Sequence, residues 1–173
     1  MKKLLATALL CSAALSPALA QNARYYAAAD YGIVSLSGPG SYSSPGALTL
    51  SGGYHYLDNL DLEAGLTMIG SATADVPGPG RVNISQNILS AVAVGKVPLN
   101  SKVHLFGKAG VGLHDGGVNG LPDDLIYGFG GQIRFDREFS MRVQYESLGR
   151  VKIPSSNSKA DVTRLSVGVV YNF

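Results

Sequence analysis

The residues that could perform chemistry in this sequence are three histidines and a short acidic segment. His55, His104 and His114 are far apart in the chain, and none has a second histidine at the spacing of a metal site. The acids of 115–124 do not follow the spacing of an EF-hand loop, and the glycines among them are typical of a flexible connection. The only cysteine is Cys11. We therefore predict no catalytic residue, no metal site and no cofactor.

Charged residues inside otherwise apolar segments are a second kind of candidate site. Glu63, Lys108 and Arg142 each stand among apolar and glycine residues. An unpaired charge in such surroundings costs several kcal/mol, so charges of this kind pair with one another or hold water. We predict that the three residues form an internal ion-pair cluster that acts as a structural plug. The alternative is a gate, in which the charges exchange partners to admit ions.

The elements that must position these charges are strands separated by turn-rich connections. Apolar and polar residues alternate along eight stretches, which is the period-two pattern of strands with one apolar face. In the last stretch, Leu165, Val167 and Val169 alternate with Ser166 and Gly168. The predicted strands are 24–37, 47–57, 60–69, 83–97, 103–113, 126–135, 139–151 and 162–173.

The two faces of these strands differ in a way that indicates their surroundings. The apolar faces carry no charge, whereas the polar faces combine glycine with isolated charges, among them Glu63, Lys108 and Arg142. A soluble barrel with a ligand cavity needs an apolar interior, and it is the alternative here. The observed pattern favours the reverse arrangement, a polar interior and an apolar wall that faces lipid. The residues of 83–97 do not decide which face of that strand is which.

Short and long connections alternate along the chain. The short ones are Asp58-Asn59, Pro98 to Lys102 and Asp136 to Glu138, and the long ones are 38–46, 70–82, 114–125 and 152–161. Outer-membrane barrels have this arrangement, with short periplasmic turns and longer outer loops. Aromatic rings prefer the membrane–water interface, so we predict a girdle at the tight-turn end. Its members are Tyr25, Tyr54, Tyr56, Phe135, Phe139, Tyr171 and Phe173.

The first twenty residues have the pattern of a secretory signal. Lys2 and Lys3 precede the apolar run 4–15, and Ala18-Leu19-Ala20 is a small-x-small cleavage site before Gln21. The apolar run is shorter than the ~20 residues of a membrane helix, which disfavours the alternative of an N-terminal anchor. We predict that residues 1–20 are a signal peptide that is cleaved before Gln21, so that the mature chain begins at Gln21.

The mature chain, 21–173, is predicted to form one domain. Loss of the signal, 1–20, removes the cysteine and two lysines, which leaves 12 basic residues against 12 acidic ones and no nucleic-acid footprint. No mature segment is apolar for the ~20 residues of a spanning helix, and only helices and closed barrels satisfy their backbone in lipid. The predicted fold is therefore all-β, an eight-stranded antiparallel up-and-down transmembrane β-barrel.

Four segments resemble the OmpA-type outer-membrane β-barrel family in their order and spacing. They are Tyr25 to Gly32, Leu62 to Gly65, Phe106 to Gly112 and Arg142 to Glu146. The resemblance covers essentially the whole mature chain and implies an internal ion-pair cluster at Glu63, Lys108 and Arg142. Gln144 stands where relatives often carry glutamate. The chain is similar to the barrel part of the larger members, without their periplasmic peptidoglycan-binding domain, so a tethering role is not implied.

The end of the chain carries the most specific motif. Ser166, Gly168, Tyr171 and Phe173 belong to a run that resembles the signal read by the barrel-assembly machinery: a polar residue, a glycine, then alternating hydrophobics up to a terminal aromatic. The alternative is an ordinary last strand.

The sequence predicts a bacterial outer-membrane protein that is not an enzyme. The leading hypothesis is a structural or interaction barrel that presents four external loops and has a polar, plugged lumen. A small gated pore or transporter, a surface adhesin acting through its loops and, less favoured, a lipid-modifying enzyme are the alternatives. The implied partners are outer-membrane lipid or lipopolysaccharide, the assembly machinery during biogenesis and an external ligand at the loops. We expect no nucleic-acid partner and a monomer.

Overall fold

The chain is described by a computed structural model over residues 24–37, 41–76, 80–114, 124–152 and 159–173; side chains are described over 24–37, 43–71, 86–114, 124–150 and 161–173. The described chain is all strand and turn, and no helix in it is long and apolar enough to cross a membrane. The strands are β1 Tyr25–Ser37, β2 Ser41–Tyr42, β3 Gly46–Leu57, β4 Leu60–Val76, β5 Gly80–Pro98, β6 Val103–His114, β7 Asp124–Arg134, β8 Phe139–Lys152 and β9 Lys159–Asn172.

Eight of these strands form a closed ring. Each pairs antiparallel with its neighbours in the chain, apart from the two-residue β2, and β1 closes the ring by pairing with β9 from Tyr26↔Asn172 to Ser37↔Asp161. Within the described chain, the short β2 pairs with the end of β4. The predicted eight-stranded antiparallel barrel is confirmed.

The alternation of side chains along each strand separates an outer wall from a lumen. In β1 buried and exposed residues alternate, with Asp30 fully buried and Tyr31 62% exposed. The exposed large side chains of the wall are apolar, as the sequence predicted, and include Leu62, Leu105, Val111, Val143, Leu165, Val167 and Val169. The charged residues of the predicted polar faces point inward and are buried.

The facing of β5, which the sequence left open, follows from its pairing with β4. Val92 lies opposite Glu63, so both point into the lumen, and Ala91 lies opposite Ala64 on the outside. Val92 and Val94 are accordingly buried. Because both faces of this strand are apolar, only the register of the neighbouring strand could decide its orientation.

The predicted connection 70–82 is wrong. β4 continues to Val76 and β5 begins at Gly80, so most of this segment is a paired hairpin. The pairing shifts register between Ile69 and Ala72, which interrupts the simple alternation that the prediction used. Most of 114–125 and 152–161 lies outside the described residues, and the strands on either side extend one to three residues into them.

The three tight turns lie at one end of the barrel together with the aromatic rings. Asn100 Oδ1 accepts the backbone N–H groups of Lys102 and Val103 at 2.9 and 2.8 Å, and Asp136 Oδ1 does the same for the third turn. Ring pairs form between Tyr25 and Tyr54, between Phe139 and Tyr171, and between Tyr171 and Phe173, each with centroids about 5 Å apart.

Candidate functional site in the barrel lumen

The centre of the lumen contains six charged side chains, three acids and three bases. We call this set the central network, and its members are Asp30, Glu63, Lys108, Arg142, Glu146 and Arg164. All six side chains are buried, and five strands contribute them: β1, β4, β6, β8 and β9. Their formal charges cancel, and the attraction between the paired charges offsets part of the cost of removing each of them from water.

Arg142 joins opposite sides of the barrel. Its Nε and Nη2 donate to the two carboxylate oxygens of Asp30 at 2.8 and 2.5 Å, and its Nη1 donates to Glu63 Oε2 at 2.7 Å. The Tyr26 hydroxyl also donates to Glu63 Oε2, at 2.9 Å. The strands that carry Arg142 and Glu63 are four steps apart in the ring of eight, so this contact crosses the full width of the lumen.

The other half of the central network is centred on Glu146. Both Lys108 and Arg164 form ion pairs with its carboxylate. Arg164 also donates to the Thr49 hydroxyl, which lies 2.8 Å from the hydroxyl of Thr67. Lys108 Nζ is 4.0 Å from Glu63 Oε1 and thereby connects the two halves.

The three residues singled out from the sequence therefore lie in one cluster. Glu63 contacts both Arg142 and Lys108 across the interior. Sequence reasoning missed Asp30, Glu146 and Arg164 as members, although the latter two share the inward parity of Arg142 and Ser166 on their strands. Their position on the inward-facing side of each strand was therefore the signal that could have identified them, but this position does not show which charges meet.

Glycines make room for these long side chains. A Cβ at Gly168 would collide with the Asp30 carboxylate, and a Cβ at Gly53 would collide with the ring of Tyr26. Gly168, predicted as part of the assembly signal, thus has a packing role within the lumen. Ser166 also faces inward, while Tyr171 and Phe173 lie in the aromatic girdle.

A second polar group, which we call the mouth cluster, lies at the tight-turn end of the lumen. Asp61 is 2% exposed. Its Oδ2 lies 2.5 Å from Lys96 Nζ, and its Oδ1 lies 2.8 Å from His55 Nδ1. His55 Nε2 is 3.4 Å from the Asn172 side chain. Within the described residues, no group of three or more His, Cys, Asp or Glu side chains is placed to hold a metal.

Many of the buried apolar side chains lie towards the opposite end of the lumen, which corrects the expectation of a polar interior throughout. We call these residues the apolar layer: Val34, Ala47, Ile69, Ile88, Ile126, Leu148 and Val162. They come from seven of the eight barrel strands, and the eighth contributes Gly112, over which the Ile126 and Ile88 side chains lie. The sequence did not reveal this layer because inward positions at the loop ends of several strands come together only when the barrel closes.

A closed ring of antiparallel strands with an apolar wall and a lumen filled by side chains is the architecture of a transmembrane β-barrel, since no backbone edge is left unpaired in lipid. A family model described as "Outer membrane protein beta-barrel domain" matches residues 4–173. The chain therefore belongs to this family, and its location is the bacterial outer membrane. The tight-turn end is accordingly the periplasmic end.

Several solved structures with the same fold are small outer-membrane barrels. Neisserial surface protein A has 17% sequence identity and a TM-score of 0.64, with 86% of this chain and 97% of that chain covered. OprG from Pseudomonas aeruginosa has 14% identity and a TM-score of 0.58, covering 87% and 96%. The N-terminal barrel domain of OprF from the same organism has 13% identity and a TM-score of 0.56, covering 87% and 98%. No curated protein matches the chain in sequence.

Proposed function

We propose that this protein is a structural and interaction barrel of the outer membrane whose lumen is plugged by the central network. The observation that carries this proposal is the Arg142–Glu63 contact, which joins opposite walls at 2.7 Å. An eight-stranded barrel has an interior just wide enough for side chains to fill it. A balanced set of three acids and three bases in that space favours a rigid plug over an open channel.

The barrel wall would then serve as a scaffold for its external loops. We propose that these loops meet an external ligand, that the wall contacts outer-membrane lipid and lipopolysaccharide, and that the monomer is the working unit. The last strand, with Ser166, Gly168, Tyr171 and Phe173, is proposed as the segment read by the assembly machinery. The predicted signal peptide over 1–20 completes this route of export.

A small gated pore is the second candidate, and one observation favours it. Lys108 forms its ion pair with Glu146 while Glu63 lies 4.0 Å away. An ammonium between two carboxylates has two stable partners, and exchange between them would change the width of the lumen. A surface adhesin would act through the loops and needs no change in the lumen.

Conductance in planar bilayers tests these alternatives directly. The plugged barrel is expected to give no ion current when purified, folded protein is inserted, whereas a gated pore gives discrete openings. Growth of a deletion strain with and without detergent stress is the companion test in cells. A structural barrel predicts sensitivity to detergent that is restored by the wild-type gene, and equal growth of both strains would contradict a role in membrane integrity.

A further inference from the structure

The periplasmic mouth of the barrel contains an open cavity of about 920 Å³ in which basic side chains outnumber acidic ones. Among the described residues, one acidic side chain lines this cavity, that of Asp58, and four basic ones do: Arg24, Lys96, Arg134 and Arg137. The mouth therefore differs from the central network, where three acids meet three bases.

This cavity is closed towards the lumen. Behind it lies a separate space of about 10 Å³, which is room for about one water molecule. Val94, Phe106 and Val170 are among the side chains that enclose this smaller space. A larger solute that enters the mouth from the periplasm therefore stops in the outer cavity.

The basic side chains approach the cavity from three sides of the barrel. Arg24 precedes β1, and Lys96 and Arg134 lie near the periplasmic ends of β5 and β7. Around the ring of eight strands, β5 is three steps from β1, β7 is two steps from β5, and three more steps return to β1. Arg137 follows in the tight turn between β7 and β8. The positive charge is thus distributed around the mouth and not confined to one edge.

The two guanidinium groups of the β7–β8 hairpin have no acidic partner. Lys96 is paired with Asp61 at 2.5 Å. Among the described residues, by contrast, no carboxylate forms an ion pair with Arg134 or Arg137. Asp136 lies between them in the chain, but its Oδ1 accepts two backbone N–H groups of the turn. Arg134 and Arg137 are therefore available to an anion from the periplasm.

The chemistry of this arrangement fits a phosphate group. A guanidinium donates two parallel hydrogen bonds to a phosphate or a carboxylate. Two unpaired guanidinium groups match a group with two negative charges, such as a phosphate monoester, whereas a carboxylate carries only one. Tyr56 and Leu57 also line the cavity and are more than half exposed, so the organic part of such a ligand has an apolar surface to contact.

We propose that the periplasmic mouth is a binding site for organic phosphate monoesters. Arg134 and Arg137 bind the phosphate, and Arg24 and Lys96 add to the positive field. The phosphate belongs either to a soluble ester in the periplasm or to the headgroup of a membrane lipid. The inference goes beyond the structural role of the barrel, because the central network lies deeper in the lumen and binding at the mouth requires no ion current.

Titration of the full mature barrel with phenyl phosphate tests the site, in a detergent and a buffer that contain no phosphate. Calorimetry measures the dissociation constant, and NMR of the arginine Nε–Hε groups shows which side chains respond. Saturable binding is expected, with shifts at Arg134 and Arg137. Arg134→Gln and Arg137→Gln should each weaken binding roughly tenfold or more, since each removes a charge-assisted contact.

Lys102→Gln is the matched control. Lys102 is an exposed base in a tight turn at the same end of the barrel, but it does not line the cavity, so this variant should bind as the wild type does. Arg134→Lys keeps the charge and loses the two-pronged hydrogen bonding, and it should bind more weakly than the wild type. The gel shift between folded and boiled protein confirms that each variant is folded.

Two arms on the wild-type protein keep the proposal testable even where a variant does not fold. Benzoate has the same ring as phenyl phosphate and one negative charge, and it should bind at least several-fold more weakly. Nanodiscs of phosphatidylcholine with and without phosphatidic acid distinguish the two sources. A lipid headgroup is the source if phosphatidic acid shifts the Arg134 and Arg137 signals and weakens phenyl phosphate binding, and a soluble ester is the source if it does neither.

Three outcomes would overturn the proposal. The first is no saturable binding of phenyl phosphate in micelles together with no response to phosphatidic acid in nanodiscs. The second is equal affinity for benzoate and phenyl phosphate, which would leave no selectivity for phosphate. The third is equal affinity of Arg134→Gln, Arg137→Gln and Lys102→Gln, which would mean that binding depends on the overall charge of the protein and not on this cavity.

Discussion

Replacement of Glu63 by alanine probes the central network at its most connected acid. Glu63 accepts hydrogen bonds from Arg142 and Tyr26, and Lys108 lies 4.0 Å away. The alanine removes one buried negative charge and leaves three bases facing two acids. Both of its basic neighbours retain another carboxylate, since Arg142 still pairs with Asp30 and Lys108 with Glu146.

The expected loss of unfolding free energy is about 3 kcal/mol. Breaking a buried ion pair by removing one partner costs roughly 3–5 kcal/mol. The remaining carboxylates hold Arg142 and Lys108 in place, so we expect the lower end of that range. The exposed acid Glu138, whose side chain lies in the third periplasmic turn, supplies the control, and Glu138→Ala should change stability by no more than ~0.5 kcal/mol.

Urea unfolding of barrels folded in detergent micelles measures both changes. The chain has no tryptophan, so far-ultraviolet circular dichroism and the gel shift between folded and unfolded forms are the suitable signals. A double-mutant cycle then compares the two contacts of Glu63. The coupling energy with Arg142, at 2.7 Å, should be about 1–3 kcal/mol, and the coupling with Lys108, at 4.0 Å, should be smaller.

Strictly additive losses in both cycles would refute this reasoning, because residues that do not interact cannot form a plug. A stability of Glu63→Ala equal to that of Glu138→Ala would refute it as well. If Glu63→Ala conducts ions in planar bilayers and the wild-type protein does not, the result would instead favour a gated pore over a structural barrel.

Three further outcomes are expected. The folded protein should migrate differently from the boiled protein on a cold SDS gel, since closed barrels resist SDS until heated; identical migration would contradict the barrel. Deletion of Phe173 should lower the amount of protein in the outer membrane and leave periplasmic material to proteases, and unchanged yield would show that the last strand is not an assembly signal. Gly168→Ala should lower stability or folding yield because its Cβ would collide with Asp30, whereas Gly95→Ala, where the nearest atom is 4.0 Å away, should have little effect; equal stability of the two variants in urea would contradict the role of Gly168 in the packing of the lumen.

The alternation of the sequence was sufficient for the fold class and for most facings. In β9, the apolar positions Leu165 and Val167 face outward and Ser166 faces inward, as their order in the chain predicts. This works because neighbouring side chains on a strand must point to opposite sides, whatever the strand pairs with. The same rule placed Glu63, Lys108 and Arg142 in the lumen before any partner was known.

Features that depend on register came only from the tertiary structure. The facing of β5 follows from the pairing of Val92 with Glu63, and the extension of β4 to Val76 follows from a ladder that resumes after a register shift. Neither is visible in local alternation, because hydrogen bonding to a distant segment decides both.

The sequence by itself determined which charged residues enter the lumen, and the closed barrel decided which of them meet. Asp30 and Arg142 are 112 residues apart in the chain, and their contact depends on how far each strand is displaced along its neighbour around the ring. The same displacement brings Val34, Ile126 and Val162 into one apolar layer. Whether a side chain faces inward or outward is a local property of its strand. Its height along the barrel axis depends on the sum of all the strand displacements, so only closure of the ring determines that height.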